Sequence, residues 1–173
     1  VYRRVSDKFV IRSAGPKDAA AILALVRELA EFEQMLDEVR ATAADFAHEL
    51  ARPHPVVHVL LAEQGGQVAG FALYFFNYST WRGRPGLYLE DLFVEPALRG
   101  RGLGRRLLGR LAAIAVERGC ARMEWMVLDW NAPAIAVYEA IGARPVAGWT
   151  TYRLTGPALD RLARETDAEP AQT

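Results

Sequence analysis

The feature that most constrains this chain is a glycine-rich loop between an acidic, strand-like run and a long helix-like segment. Residues 89–104 read LEDLFVEPALRGRGLG, with Gly100, Gly102 and Gly104 at every second position. Glycine lets consecutive backbone N–H groups converge on one anion. The first turn of the following helix adds unpaired N–H groups and the positive end of its dipole. The loop predicts a site for a diphosphate-bearing ligand, and an ordinary surface turn is the alternative.

Two other phosphate-binding patterns fit this loop poorly. A P-loop requires lysine followed by serine or threonine after its last glycine, whereas Gly104 is followed by two arginines. A dinucleotide-binding fold requires G-x-G-x-x-G directly after its first strand, with an acidic residue about 20 positions later. Glu124 and Asp129 imitate that acidic residue, but the glycine spacing differs and several helices and strands precede the loop.

The segments before the loop predict two helices beside an antiparallel meander. FVIR at 9–12 is strand-like, and apolar residues recur with helical spacing from Asp18 onward. A shorter helix runs from Thr42 to Leu50 and ends at a proline-rich break. The meander is predicted from the runs VVHVLLAE, QVAGFALYFFNYS and LYLEDLFVEP, of which the first two are joined by a glycine turn.

The segments after the loop alternate between helix and strand. A helix follows the glycines and ends at Gly119, and MEWMVLDW is the next predicted strand. Asn131 suits a helix N-cap, the helix it opens ends at Gly142, and WTTYRLT is predicted to be a last strand. The whole order is typical of an α+β fold with helices packed on a sheet, an α/β three-layer arrangement.

Length and composition limit the classes of protein to which this chain can belong. The chain has 173 residues, of which 51% are hydrophobic, so we expect a single domain over 1–173 with a core at about 9–165 and a flexible tail at about 166–173. Lysine plus arginine equals aspartate plus glutamate at 21 each, which disfavours a nucleic-acid partner. No apolar run approaches the roughly 20 residues of a membrane helix, and the start VYRRVSDKF lacks a signal-peptide core, so a cytoplasmic location is expected. One cysteine and three scattered histidines predict neither a disulfide nor a metal site.

The stretches YLEDLFVEPALRGRGLGRRLL and LDWNAPAIAVYEAIGA resemble the GNAT superfamily of acetyl-CoA-dependent N-acetyltransferases. Its cofactor signature, Arg/Gln-x-x-Gly-x-Gly/Ala, is matched by Arg99, Gly102 and Gly104. With FVIRSAGPKDAAAILALVRELAEFE and FNYSTWRGRPGLYLEDLFV, the chain is similar over about 9–154 to the diamine group, which includes spermidine/spermine and thialysine acetyltransferases. This resemblance implies the GNAT acyl-CoA N-acyltransferase fold, a mixed, bent sheet with two splayed central strands, and a homodimer.

The resemblance also implies where acetyl-CoA binds. The strand before the loop would pair with the pantetheine arm as an added strand does, the loop would hold the pyrophosphate, and the helix after Asn131 would contact the far side. The implied cofactor-binding residues are Leu92, Phe93, Val94, Arg99, Gly100, Arg101, Gly102, Leu103, Gly104, Arg105, Asn131, Pro133 and Ala134.

Two residues are candidates for the catalysis that the resemblance implies. Tyr138, implied to face the sulfur, could protonate the departing thiolate; a core aromatic bonded to backbone is the alternative. An alkyl amine is mostly protonated at neutral pH, so a carboxylate must take its proton. Glu90 and Asp91 are both available, strand alternation would point only one of them into the cleft, and the resemblance favours Glu90. A backbone N–H near Phe93 or Val94 would hold the oxyanion.

The acceptor is implied to be a small-molecule amine. The implied substrate-binding residues are Phe32, Glu33, Glu90, Glu124, Trp125 and Met126. Phe32 stands where polyamine enzymes commonly carry tyrosine, and Arg82, Arg84 and Arg122 add positive charge. A small diamine, a thialysine-like amino acid or another primary amine therefore fits as well as a polyamine. A protein N-terminus or lysine as acceptor, and a non-catalytic acyl-CoA-binding regulator, are the alternative functions.

Overall fold

The computed structural model describes residues 9–165 and forms one five-stranded sheet with five α-helices. The strands are β1 Phe9–Ser13, β2 His58–Gln64, β3 Gln67–Ser79, β4 Arg84–Val94 and β5 Met123–Trp125. The helices are α1 Ala19–Phe32, α2 Ala43–Leu50, α3 Leu103–Glu117, α4 Ala132–Ala140 and α5 Gly156–Glu165. The tail expected at 166–173 lies outside the described residues.

The sheet is mixed, as expected. Its order is β1-β2-β3-β4-β5, with antiparallel pairing from β1 to β4 and parallel pairing between β4 and β5. The antiparallel part is the predicted meander, and its β2–β3 turn uses Gly65 and Gly66, both at positive φ. The parallel strand β5 follows α3, the crossover helix that a parallel connection requires.

Helices cover both faces of the sheet. On one face, Ile22 and Leu25 of α1 pack against buried residues of the sheet, among them Leu61, Phe71 and Phe93. The neighbouring positions of the strands point to the opposite face and are also buried. Helix α3 contacts β2, β3 and β4, and its apolar stripe, Leu103, Leu107, Leu108, Leu111 and Ile114, is buried. The expected α+β architecture is confirmed.

An ion-pair network joins β1, β2 and the turn before α1. Arg12 of β1 donates from Nη2 to Asp18 Oδ1 at 2.8 Å and from Nε to Glu63 Oε1 at 2.8 Å. Asp18 is buried, and it also accepts from the backbone N–H of Gly15 at 2.8 Å. These bonds to the ionised form hold the pKa of Asp18 at about 2, with the bond from Arg12 as the main cause.

The structure places several predicted helix ends as expected. Thr42 caps α2, since its side chain accepts from the N–H of Asp45 while the Asp45 carboxylate accepts from the N–H of Thr42. Gly119 and Gly142 follow α3 and α4 with φ of 66° and 92°. No helix among residues 9–165 is long and apolar enough to cross a membrane.

Two predictions about the second half of the chain need correction, and one helix there was not predicted. The strand MEWMVLDW is shorter than expected, because its pairing with β4 ends at Leu89 and Trp125. Residues 149–155 are not a strand, and Tyr152 in the middle of that run is 92% exposed; β-branched and aromatic residues form strands only where a sheet surface receives them. Helix α5 was missed, although Pro157 follows its first residue and Leu159 and Leu162 have helical spacing.

The chain separates into two compact units, Val1–Ala132 and Pro133–Thr173. The first unit holds the sheet and helices α1 to α3. The second consists, within its described part, of most of α4, the irregular segment 141–155 and α5. The single domain expected over 1–173 stays a prediction.

Candidate active site

The site is built around a β-bulge in the middle of β4. Leu73 of β3 pairs with Asp91 while the next residue, Tyr74, pairs with Leu89, so Glu90 is an extra residue without a partner in β3. Directly opposite residues of an antiparallel pair lie on the same face. Asp91 therefore shares the α1 face with Leu73, whereas Leu89 lies on the other face. The bulge breaks the simple alternation that the sequence predicted for Glu90 and Asp91.

Asp91 is the carboxylate that the bulge turns toward the α1 face. Its carboxylate accepts no hydrogen bond and forms no ion pair among residues 9–165. Burial raises the pKa of Asp91 to about 6, and the charges of Glu90 and Glu33 raise it further. Glu33 follows the last residue of α1, and burial raises its pKa too. Glu90 itself is exposed. These three carboxylates, none of them ion-paired within residues 9–165, thus lie close enough for their charges to interact.

Two aromatic residues adjoin these carboxylates along the chain, Phe32 directly before Glu33 and Phe93 two residues after Asp91. The ring centroids of Phe32, at the end of α1, and Trp130 lie 5.7 Å apart. The guanidinium of Arg99 lies 4.7 Å from the Phe32 centroid and 5.3 Å from that of Phe93. Arg99 is therefore the cation that lies against both rings. Trp130 was not among the residues predicted for the acceptor site. The sequence could have indicated it as the aromatic residue of the LDWN run, two residues after Leu128.

The far wall of the site is formed where β4 meets β5. Tyr88 pairs with Glu124 across this edge and stacks near Phe75, with ring centroids 5.1 Å apart. Burial raises the pKa of Tyr88, and the carboxylates of Glu90 and Glu124 add to the shift. Glu124 is ion-paired, since Arg122 Nε donates to its Oε2 at 2.7 Å. Of the predicted wall residues on β5, Trp125 pairs with Leu89, and Met126 lies just beyond the strand and is 63% exposed.

Strands β4 and β5 separate beside the bulge. The pairing of β4 with β5 ends at Leu89, whereas β4 continues to Val94. The edge of β4 from Glu90 to Val94 therefore lies outside the β4–β5 ladder. A strand edge of this kind accepts an added extended chain, and the predicted pantetheine-binding residues Leu92, Phe93 and Val94 lie on it. The carbonyl of Val94 accepts from Arg99 Nε at 2.9 Å.

The glycine loop has the geometry that an anion requires. Gly100 and Gly102 adopt φ of 75° and 77°, in the left-handed region that favours glycine, and no atom lies within 4 Å of where a Cβ would stand on either. Gly102 is the N-cap of α3. The first backbone bond of the helix runs from the N–H of Arg106 to the carbonyl of Gly102 at 3.0 Å. The N–H groups of Leu103, Gly104 and Arg105 thus precede the helical ladder.

These residues fit a diphosphate group. The open space over the two glycines lets a phosphate approach the backbone, and the helix start adds N–H groups and its dipole. Arg101 and Arg105 are exposed beside the loop. The loop, the separated strand edge and the carboxylate cluster all belong to the first unit.

Four further residues of the prediction lie at or after the end of that unit. Asn131 is half-buried and donates its backbone N–H to the carbonyl of Leu128 at 2.8 Å. Pro133, Ala134 and Tyr138 lie on α4 in the second unit. Tyr138 is half-buried, and its carbonyl accepts from the N–H of Ala143 at 3.0 Å. The roles expected for these four residues stay predictions.

Comparisons with known proteins show which proteins the chain is similar to. A model of the acetyltransferase (GNAT) family matches residues 22–143. The thialysine N-epsilon-acetyltransferase of Bos taurus is 39% identical over 89% of this chain and 96% of that protein. The L-ornithine N5-acetyltransferase of Arabidopsis thaliana is 32% identical over 88% of this chain and 86% of its own length. Among solved structures, an integron cassette protein from the mobile metagenome of V. cholerae superposes with a TM-score of 0.75 at 28% identity, covering 90% of this chain and 98% of that one.

Proposed function

The chain belongs to the acetyltransferase (GNAT) family, and from that premise we propose that its acceptor is the primary amine of a small diamine or a thialysine-like amino acid. It is an N-acetyltransferase that uses acetyl-CoA, as its family and its relatives indicate. The observation that carries the acceptor proposal is the cluster of Glu33, Glu90 and Asp91 at the bulge, whose charges act on one another. Carboxylates that form no ion pair within residues 9–165 offer a site for an ammonium group.

The carboxylates bind the acceptor and remove its proton. An alkylammonium has a pKa near that of lysine, about 10.4, and must lose one proton before its nitrogen can attack. Asp91, with a pKa of about 6, is ionised at neutral pH and is the better base of the cluster because its pKa lies near the working pH. Glu90, the residue that the family resemblance favoured, is exposed and can pass the proton to water. The neutral nitrogen then attacks the acetyl carbon directly.

The backbone and Tyr138 complete the proposed reaction. A backbone N–H near Phe93 or Val94 stabilises the oxygen that becomes negative as the C–N bond forms. Collapse of this intermediate breaks the C–S bond, and the Tyr138 hydroxyl supplies the proton that the thiolate takes up. The products are the N-acetylated amine and coenzyme A.

The proposed binding mode of acetyl-CoA uses the loop and the separated strand. Residues 99–105 hold the pyrophosphate through backbone N–H groups and the start of α3. The edge of β4 from Leu92 to Val94 pairs with the pantetheine arm, and Asn131, Pro133 and Ala134 contact the far side. Bound there, acetyl-CoA supplies the activated acetyl group.

Release of coenzyme A thiol from acetyl-CoA tests this function. We expect release that depends on an added small diamine or thialysine-like amino acid and that Asp91→Asn reduces by about 100-fold, within the range of general base catalysis. Tyr138→Phe should lower kcat in the same assay. Lack of thiol release with every small amine would overturn the proposal, and binding of coenzyme A without turnover would support the non-catalytic alternative.

A protein acceptor is the less favoured candidate. A groove without Glu33 and Glu124 on its walls would suit a peptide, whereas both residues lie beside the site.

We further propose that the enzyme works in the cytoplasm as a homodimer. Exposed apolar residues of the second unit support the dimer, among them Val146 at 70% and Leu162 at 52% exposure.

A further inference from the structure

An arginine is fixed against the acidic far wall of the site. Arg122 donates from Nε to Glu124 Oε2 at 2.7 Å and from Nη1 to Ser79 Oγ at 3.3 Å. Ser79 is only 4% exposed, so it is an immobile partner. Two contacts at different nitrogens hold the guanidinium plane, and the remaining N–H groups of Nη1 and Nη2 are left for another acceptor.

The ion pair divides the carboxylates of the site into two kinds. Glu33, Glu90 and Asp91 form no ion pair among residues 9–165, so their charges are available to a cation. Glu124 pairs with Tyr88, two residues before Glu90 on β4, but its charge is balanced by Arg122. The bulge end of the wall is therefore anionic, whereas the charges of Glu124 and Arg122 cancel at the other end.

We propose that Arg122 is a specificity-determining residue that selects acceptors whose far end is an α-amino acid group over diamines and polyamines. This inference rests on the proposed function and names the acceptor class more closely. A diamine bound by its reacting ammonium at the bulge end brings a second, bare ammonium toward the guanidinium. An α-amino acid brings an ammonium and a carboxylate of zero net charge, and its carboxylate can accept from the unused N–H groups of Arg122.

Arg122 thus acts mainly by rejecting the wrong acceptor. Without the guanidinium, Glu124 would be a fourth available carboxylate and would hold the second ammonium of a diamine. A repulsive element placed against one ligand raises specificity even where it adds little affinity for the other. The effect belongs to binding rather than to the chemical step, because Arg122 lies at the far end from Asp91.

The test compares two acceptors that differ by one carboxylate, thialysine and bis(2-aminoethyl) sulfide. We expect the protein to prefer thialysine in kcat/KM by about tenfold or more, the change of one favourable charge contact. Arg122→Gln should reduce this preference by about tenfold, mostly through KM, with kcat for thialysine nearly unchanged. Glu124→Gln, which leaves the guanidinium uncompensated, should increase the preference. Arg82→Gln, at an exposed arginine of the β3–β4 turn, is the matched control and should not change it.

The outcomes separate this inference from the proposed function. Turnover of both acceptors with a ratio that Arg122→Gln and Glu124→Gln leave unchanged overturns the role of Arg122 and leaves the acetyltransferase intact. A preference of the unaltered protein for the diamine also overturns it. Absence of turnover with either acceptor and with every other small amine overturns the proposed function, and this inference with it.

Discussion

The guanidinium of Arg99 lies over the ring of Phe32, 4.7 Å from its centroid, and so joins the cofactor loop to the acceptor wall. The same side chain donates to the carbonyl of Val94 at 2.9 Å, on the strand edge where the pantetheine arm is proposed to bind. A bound diphosphate would compete with both contacts for this charge.

Phe32→Leu should therefore strengthen the binding of coenzyme A. The substitution removes a cation–π contact worth about 0.5–1 kcal/mol at an exposed site, which corresponds to an approximately two- to fivefold lower Kd in calorimetry. Phe46→Leu, a conservative change of an aromatic residue packed on the core away from the loop, is the control. Weaker binding by Phe32→Leu would show that the ring positions Arg99 for the phosphates instead.

The pKa of Asp91 predicts the acidic limb of the pH profile. Burial and neighbouring carboxylates raise this pKa to about 6, so the base becomes protonated, and kcat/KM falls, as the pH drops below about 6. In Asp91→Asn the residual activity should lack this limb, whereas Glu90→Gln should keep it. The measurement is kcat/KM for the amine between pH 5 and pH 8, taken at about the same ionic strength throughout. An unchanged limb in Asp91→Asn would assign the pKa to another group.

Asp91 should also reduce the stability of the fold at neutral pH. Its folded-state pKa of about 6 lies above the ordinary value of 3.8, so the folded protein binds the proton more tightly than the unfolded chain does. Its contribution to stability is present below about pH 4 and is lost as the pH rises through about 6. Asp91→Asn should therefore raise Tm at pH 7.5 and have little effect near pH 4, as thermal unfolding can measure. An equal shift at both pH values would contradict this linkage.

Asp18 should act in the opposite direction. Its pKa is lowered from 3.8 to about 2, mainly by the hydrogen bond from Arg12, so its contribution is present above about pH 4 and is lost as the pH falls through 2. Asp18→Asn should lower the free energy of unfolding at pH 7 by about 2 kcal/mol, the equivalent of that shift. Denaturant unfolding at several pH values should show the difference shrinking toward pH 2. Asp37→Asn, on an exposed turn, is the control and should have little effect.

Much of the fold follows from local patterns in the sequence. The Thr42 cap, the glycine stops at Gly119 and Gly142, and the helical period after Gly102 are short-range signals, and the structure has a helix boundary at each. The end of β5 at Trp125 and the absence of a strand at 149–155 depend instead on whether a neighbouring strand is present. Such pairing is a tertiary property, and composition does not encode it.

The site was predictable in its parts but not in its arrangement. The loop glycines and the Glu90–Asp91 pair are visible as residues, and their chemistry follows from residue type. The bulge that separates the faces of Leu89 and Asp91 arises from a one-residue shift of register, which the sequence does not mark. Arg122 was visible only as nearby positive charge, since its pairing with Glu124 requires Arg122, which directly precedes β5, to lie on the same side as Glu124.

The proposed binding of acetyl-CoA depends most on the backbone N–H groups at 99–105, which bind two linked phosphoryl groups. Calorimetry with dephospho-coenzyme A, which keeps the diphosphate, and with pantetheine, which lacks it, tests this directly. We predict that dephospho-coenzyme A binds at least about 100-fold more tightly than pantetheine, because pantetheine cannot form the charge-assisted hydrogen bonds to the diphosphate. In Gly102→Ala this difference should be smaller, because the alanine side chain must be accommodated at φ near 77°. Equal affinity for the two ligands in the unaltered protein would show that these N–H groups do not bind the diphosphate.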